Sequence, residues 1–234
     1  MHNVELRAVT LGFGSGAAQM TALNGIDLIL KPGLFTVISG PSGSGKTSLI
    51  SILGAMLAPD SGSVLVEDRD ITKLAPDRRS AFRREKIGYI FQSFRLMPAL
   101  NAEENIRLSL ELRRLPKGRQ RALAALDMVG LAAKAHLRPD QMSHGEKQRV
   151  AVARAIAHGP VMVLADEPTA SLDAANGAQV TQLLADIARD NERIVAVVTH
   201  DPRILPVAQR IVRLEDGRKR SAGHPAAGRY RARQ

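Results

Sequence analysis

Gly40-Pro41-Ser42-Gly43-Ser44-Gly45-Lys46-Thr47 fits the pattern G-x-x-x-x-G-K-[ST] without a mismatch, and no other stretch of the chain constrains its fold as strongly. It follows Phe35-Thr36-Val37-Ile38, an apolar, β-branched run that reads as a buried strand. It precedes Ser48 to Leu53, whose apolar residues recur at helical spacing. Strand, glycine loop and helix, in that order, are what a phosphate-binding loop requires. Glycines let successive backbone N–H groups turn inward around an anion, and the helix N-terminus adds partial positive charge at the same place. Lys46 is then expected to reach the β- and γ-phosphates, and Thr47 to offer its hydroxyl to Mg²⁺. Gly40, Pro41, Ser42, Gly43, Ser44, Gly45 and Ser48 complete the expected cradle. With glycine at about 7% of average usage, a functionless turn matches the full pattern in roughly one chain of this length per hundred. The flanking strand and helix lower that further. The chain reads as a binder of a nucleoside triphosphate.

A length of 234 residues suffices for one large domain, or for a core with an inserted subdomain. The absence of cysteine excludes disulfides, thiolate metal sites and cysteine nucleophiles. No apolar run approaches the ~18 residues of a membrane span. Met1 to Arg7 shows no signal-peptide pattern, so a soluble cytoplasmic protein is expected. The net charge of +10 asks for an anionic partner: nucleic acid, an anionic membrane surface or a nucleotide. Aromatics at 3%, with no Trp and no aromatic–basic interleaving, argue against nucleic acid. Much of the excess sits at the end, where residues 217–234 hold Arg218, Lys219, Arg220, Arg229, Arg231 and Arg233 and no acid. The main domain is therefore expected over residues 1–217. Residues 218–234 read as a disordered basic tail, either solvated or touching acidic lipid.

The first forty residues alternate like sheet, with Val4, Leu6 and Ala8 on one face and Ile26, Leu28 and Leu30 repeating the pattern. From about Phe94 to Gly159 the texture turns helical. Asn101 reads as an N-cap followed by acids, Leu123, Leu126 and Val129 share a stripe, and so do Val150, Ala153, Ile156 and Ala157. Strand–helix alternation then returns up to Leu214. This pattern predicts an α/β nucleotide-binding core with a helical insertion of about sixty residues, about 94–159.

The strand Val161 to Ala165 ends in Asp166 and Glu167. At the C-terminal edge of a parallel sheet these carboxylates face the phosphate loop, where such folds bind ligands. Asp166 suits the holding of Mg²⁺, and Glu167 the activation of an attacking water. Adjacent acids at a strand end are common in solvated turns, and it is the phosphate loop that gives this pair its meaning. Gln92 and His200 also end apolar strands. In isolation each is an ordinary turn residue, but on the same sheet both would converge on the γ-phosphate.

Gln141-Met142-Ser143-His144-Gly145-Glu146, shortly before the Asp-Glu strand, resembles the signature sequence of ATP-binding-cassette (ABC) ATPases. Ser171-Leu172-Asp173 resembles that family's D-loop, Gln92 its Q-loop and His200 its switch histidine. The resemblance runs from about Val4 to Gly217. Ala22 to Ile26, Ala165 to Asp173 and Thr199 to Ile204 look most like the subunits of lipoprotein-release, macrolide-efflux and heterocyst glycolipid-export systems, the last above all. It implies a P-loop core with an N-terminal antiparallel β subdomain and an inserted helical subdomain. It also implies ATP with Mg²⁺ held by Thr47, Gln92 and Asp166, catalysis by Glu167, His200, Gln92 and Lys46, and Phe13 stacked on adenine. Two copies would sandwich two ATPs, with Ser143, Gly145 and Asp173 of one copy completing the site of the other.

His144 stands where the family commonly has Gly, and Glu146 where it has Gln, which predicts a working but slower site. The resemblance further implies a separate transmembrane permease docked near Ser93 to Pro98, at the cytoplasmic face of the inner membrane, and leaves room for a periplasmic adaptor. Three roles follow from it. These are energising an exporter or extractor of lipid-like or amphiphilic cargo, signalling mechanically across the envelope without transport, and acting as a soluble ATPase on DNA or ribosomes. The absence of a second cassette and of coiled-coil heptads argues against the last. No N-K-x-D guanine-reading sequence is present, so ATP is expected rather than GTP.

Overall fold

Two sheets bury the chain's β-branched residues, one antiparallel and one almost wholly parallel. The computed structural model describes residues 3–14, 20–190 and 193–220. From the N-terminus the elements are β1 (Val4–Phe13), β2 (Met20–Leu30), β3 (Phe35–Ser39), α1 (Lys46–Leu53), β4 (Ser61–Val66), β5 (Arg69–Asp70), α2 (Pro76–Lys86) and β6 (Ile87–Ile90). There follow α3 (Ala102–Glu111), α4 (Gly118–Met128), α5 (His144–Ile156), β7 (Met162–Asp166), α6 (Ala174–Asp190), β8 (Ile194–Thr199), β9 (Arg210–Glu215) and β10 (Arg218–Arg220). The antiparallel sheet has the order β2-β1-β4-β5, and the second sheet the order β10-β9-β3-β8-β7-β6. In the second sheet every pairing is parallel except that of β9 with β10.

A parallel sheet covered on both faces needs strands that are apolar throughout. β8 meets that need with all six residues buried. Val195 and Val197 point into one core with α3 to α6, while Ile194, Ala196 and Val198 point into the other with α1 and the antiparallel sheet. The helices α3, α4 and α5 stand between β6 and β7, which are themselves neighbours. α3 opens with Asn101 and Glu104 in a reciprocal capping box, so the N-cap read from sequence is in place.

Three expectations need correction. Ala8 is exposed, and Val9 takes its place in the core. The register slips between Leu6 and Val9, with Ala8 at φ +48° and its N–H donating to Asp27 Oδ1. A bulge of this kind turns every later side chain to the other face. On α4, Leu123 is 36% exposed, and the buried stripe is Ala122, Ala125 and Leu126. Small alanines let α4 lie close against its neighbours, a choice that a search for large apolar residues passes over. Finally, Arg218–Arg220, expected in the tail, form β10. Asp216 and Gly217, at φ +48° and +68°, make the two-residue turn that favours a hairpin, pairing Arg218 with Glu215. Lys219 Nζ then donates to the Asp27 carbonyl, which ties β10 to the first sheet. The rest of the expected tail, residues 221–234, lies outside the described residues.

The contact that seats α5 on β6 is made at Gly88. An added Cβ there would stand 2.2 Å from the Ala155 carbonyl oxygen. Gly88→Ala is therefore expected to cost about 1–3 kcal/mol, as overpacked sites do. The check is a lower urea midpoint at unchanged m-value. A midpoint equal to that of the parent would show that α5 does not depend on this approach.

Candidate functional site

The glycine loop is held by backbone on both sides. A Cβ on Gly40 would lie 2.0 Å from the Leu214 carbonyl oxygen, and one on Gly45 would lie 2.2 Å from that of Ala22. Gly45 also sits at φ +97°, a region that side chains rarely reach. Lys46 opens α1, and its Nζ, buried inside the loop, donates to the carbonyls of Gly40 at 2.9 Å and Pro41 at 2.7 Å. Gly217 N donates to Ser44 O, and Gly217 O accepts from Asn24 N, so the β9–β10 turn braces the loop against β2. The result is a rigid ring of backbone around a single cation.

Glu167 sits at φ +49°, with its N–H donating to Val198 O. That turn folds the carboxylate back over the end of β8. Oε2 accepts from Thr199 Oγ1 at 2.9 Å, and Oε1 accepts from the His200 N–H at 3.1 Å. The His200 ring Nδ1 is 2.7 Å from the same Oε1. A carboxylate only accepts, so Nδ1 carries the proton and Nε2 is left free to act outward. Thr199 is fixed in turn, because its hydroxyl accepts from Asp201 N, and Asp201 accepts from Thr169 Oγ1. Burial, and then the neighbouring Glu167 charge, push the Asp166 carboxyl above its ordinary value, while Lys46 pulls it back. Two acids side by side at one cation make a setting in which a further positive charge is favoured.

Part of this set opens onto a cleft of about 600 Å³, whose lining does not include Asp166, Gly40, Pro41 or Ser44. Ser42, Gly43, Gly45, Lys46, Thr47 and Ser48 line it from the loop, and Gln92, Glu167 and His200 from the strand ends. Phe13 lines it from the antiparallel sheet, 44% exposed, beside Met20 and Ala22. Ser143, Gly145 and Asp173 do not line this cleft. Ser143 and Gly145 stand at a second place, the start of α5, and Asp173 is linked to Gly145 through Asn176. Ser143 is the N-cap of α5, its Oγ accepting from Glu146 N while Glu146 Oε2 accepts from Ser143 N. Asp173 accepts from the backbone and side chain of Asn176, and Asn176 packs so tightly on Gly145 that a Cβ there would lie 2.1 Å from its Oδ1. Gly145 is thus required within this chain, whatever else it touches.

The chain can now be set beside known proteins. The family model described as ABC transporter matches residues 23–170. The chain belongs to the ABC transporter family. Within that family it is an ATPase domain. An ABC transporter ATP-binding protein of Thermotoga maritima is 39% identical over 217 residues, covering 92% of both chains. The MJ0796 protein of Methanocaldococcus jannaschii is 40% identical over 220 residues, covering 92% of this chain and 94% of that one. The structure described as the dimeric, post-hydrolysis state of the ATP-binding cassette MJ0796 bound to ADP and Pi aligns with a TM-score of 0.85 at 37% identity. It covers 94% of this chain and 98% of that one. The macrolide export ATP-binding/permease protein MacB of Sodalis glossinidius is 42% identical over 217 residues, 92% of this chain. This chain spans only 33% of that protein's length.

Sequence reasoning missed the groups that hold the site residues. Thr199 and Asp201 lie in a stretch that carried the resemblance but were assigned no role of their own, and that role appears only when β7 and β8 lie side by side. The His144 ring lies 5.7 Å from that of Phe94. Glu146 is no free acid. It pairs with Lys134 and closes the Ser143 capping box, and these bonds hold its carboxyl down to about 2. A depressed carboxylate stabilises the fold fully above its unfolded value near 4.5, and that contribution is lost as pH falls toward about 2. Glu146→Gln keeps the capping box and deletes the ion pair. The variant is expected to melt below the parent at neutral pH and level with it near the acid limit. A gap that stays constant across the whole pH range would rule out the ion pair as its source.

Proposed function

We propose that the chain binds and hydrolyses ATP as the energising subunit of a membrane transporter, two copies working against a separate permease. The observation that carries this reading is the Glu167 carboxylate, fixed by Thr199 and His200 in the same cleft as the phosphate loop. A base held in place beside a phosphate site suits the attack of water on a terminal phosphate.

In this reading the loop amides and Lys46 bind the β- and γ-phosphates, and Phe13 receives the adenine ring. The residues present fit Mg²⁺. Thr47, Gln92 and Asp166 offer hard oxygen donors, and the raised Asp166 carboxyl gains from a nearby cation. When bound, Mg²⁺ would neutralise charge on the β- and γ-phosphate oxygens. Glu167 takes the proton of the attacking water. His200, oriented by its Nδ1 bond to Glu167, presents Nε2 toward the transferred group. Ser143 and the N-terminus of α5 supply donors to the nucleotide of the second copy.

Among the described residues no helix is long and apolar enough to cross a membrane. The transporter reading itself is what calls for a permease. Placement at the cytoplasmic face of the membrane follows from that partner. Relatives named for macrolide export favour an exported, amphiphilic cargo. Glu167→Gln keeps the size of the side chain and removes the base. ATPase activity is expected to fall at least ~100-fold, within the ~10²–10⁴ that a positioned base supplies, while ATP still binds. Light scattering with Mg-ATP should then reveal a dimer, and adding Ser143→Arg should disperse it. A Glu167→Gln protein that stays monomeric at saturating ATP and hydrolyses normally would refute both the base and the shared site.

A further inference from the structure

Lys134 lies outside the phosphate loop and outside the signature sequence, yet it reaches Glu146, the residue that closes the Ser143 capping box. Both Glu146 oxygens are committed: Oε2 accepts from Ser143 N, and Oε1 from Lys134 Nζ. Lys134 ends a short 3-10 turn, Ala132–Lys134, between α4 and α5. The segment is fixed before it meets α5. Buried Leu131 donates its N–H to Leu126 O at 2.8 Å, and Ala135 O and Leu137 O accept from Glu103 N and Ala102 N at the start of α3. Among the described residues Glu146 is the only carboxylate paired with Lys134, and Lys134 the only cation paired with Glu146. The Glu146 side chain is 14% exposed and that of Lys134 49%, so the ammonium stays on the surface over a half-sunk acid.

In the shared-site reading this pair stands beside Ser143, where the triphosphate of the other copy arrives. An acid in the first turn of a helix takes part of the helix's positive end for itself, and through Oε2 it occupies the Ser143 N–H as well. Left bare, its negative charge would repel an anion brought to the same turn. Asp173, the other acid linked to this end, is bonded to Asn176 and lies in the field of Arg203. The Lys134 ammonium brings the charge of the Glu146 position back to zero. It carries three N–H groups, of which Glu146 takes one.

We propose that Lys134 is a positioning residue of the shared site: it neutralises Glu146, so that a helix start carrying an acid still receives the nucleotide of a second copy. This rests on the shared-site reading and adds to it a residue that the signature sequence does not contain. It assigns any cost of Glu146 to the loss of its cation rather than to the acid itself. A Gln at the same position needs no such cation.

Four full-length chains test this, all carrying Glu167→Gln so that bound ATP is retained: the parent, Lys134→Met, Glu146→Gln, and the last two combined. Light scattering at saturating Mg-ATP gives the protein concentration at which half of each is paired. Lys134→Met is expected to need at least about tenfold more protein than the parent, with the gap closing as salt is raised. Adding Glu146→Gln to it should restore pairing to within about threefold of the parent, because a surface ion pair is itself worth little. Glu146→Gln alone should pair at least as tightly as the parent. A merely structural salt bridge predicts the opposite for the combined variant, which would then pair as poorly as Lys134→Met. That result would overturn the proposal, and so would a Lys134→Met chain that no longer binds a fluorescent ATP analogue when dilute and unpaired. A parent that stays monomeric removes the shared site and this inference with it. A paired parent beside an equally paired Lys134→Met keeps the shared site and removes this inference alone.

Discussion

Parallel pairing of β6, β7, β8 and β3 brings the C-terminal ends of four strands to one edge, and the groups of the cleft hang from that edge. Ser39 leads into the glycine loop, Asp166 into Glu167, Thr199 into His200, and Ile90 toward Gln92. No single interaction creates the site. What creates it is burial of apolar strands on both faces, which leaves the strand ends as the one place where polar groups can gather without cost to the core. The strained turn at Glu167 is affordable there because Thr199 and His200 hold the carboxylate from two directions.

α5 connects that edge to the outside. Its N-terminus presents Ser143, its middle fills the helical core, and Arg154 near its end grips the carbonyls of Phe94 and Arg95. Those two residues lie at φ +23° and +49°, side by side, so the turn between Gln92 and the helices depends on what grips it. α5 is seated on β6 through Gly88, so the grip on that turn and the signature residues belong to one helix.

Much of this was legible in the sequence, for a definable reason. Strand ends are topological positions, so an apolar run followed by Gln92, Asp166, Glu167 or His200 already says where those side chains gather. The capping boxes at Asn101 and Ser143 are short-range patterns and could be read directly. Features that depend on three-dimensional approach could not. The bulge at Ala8 answers to Asp27, nineteen residues away. Gly145 is demanded by Asn176, and Thr199 finds Glu167 only across paired strands. The cavity lined by Arg83, Arg84, Arg95, Ser109 and Arg154 draws on α2, the turn after β6, α3 and α5, and no local window contains it. The Asp216-Gly217 hairpin was a readable signal, obscured by the basic run that follows it.

The central claim is that one copy holds the phosphate loop and the base, and another supplies the signature residues that complete the site. The direct measurement is the specific ATPase activity of the unmodified chain at saturating Mg-ATP, across protein concentrations from nanomolar to tens of micromolar. A site shared between two copies requires activity per molecule to rise with concentration and then level off as pairing saturates. Activity per molecule that is the same at every concentration, from a chain shown to be monomeric throughout, would contradict the account.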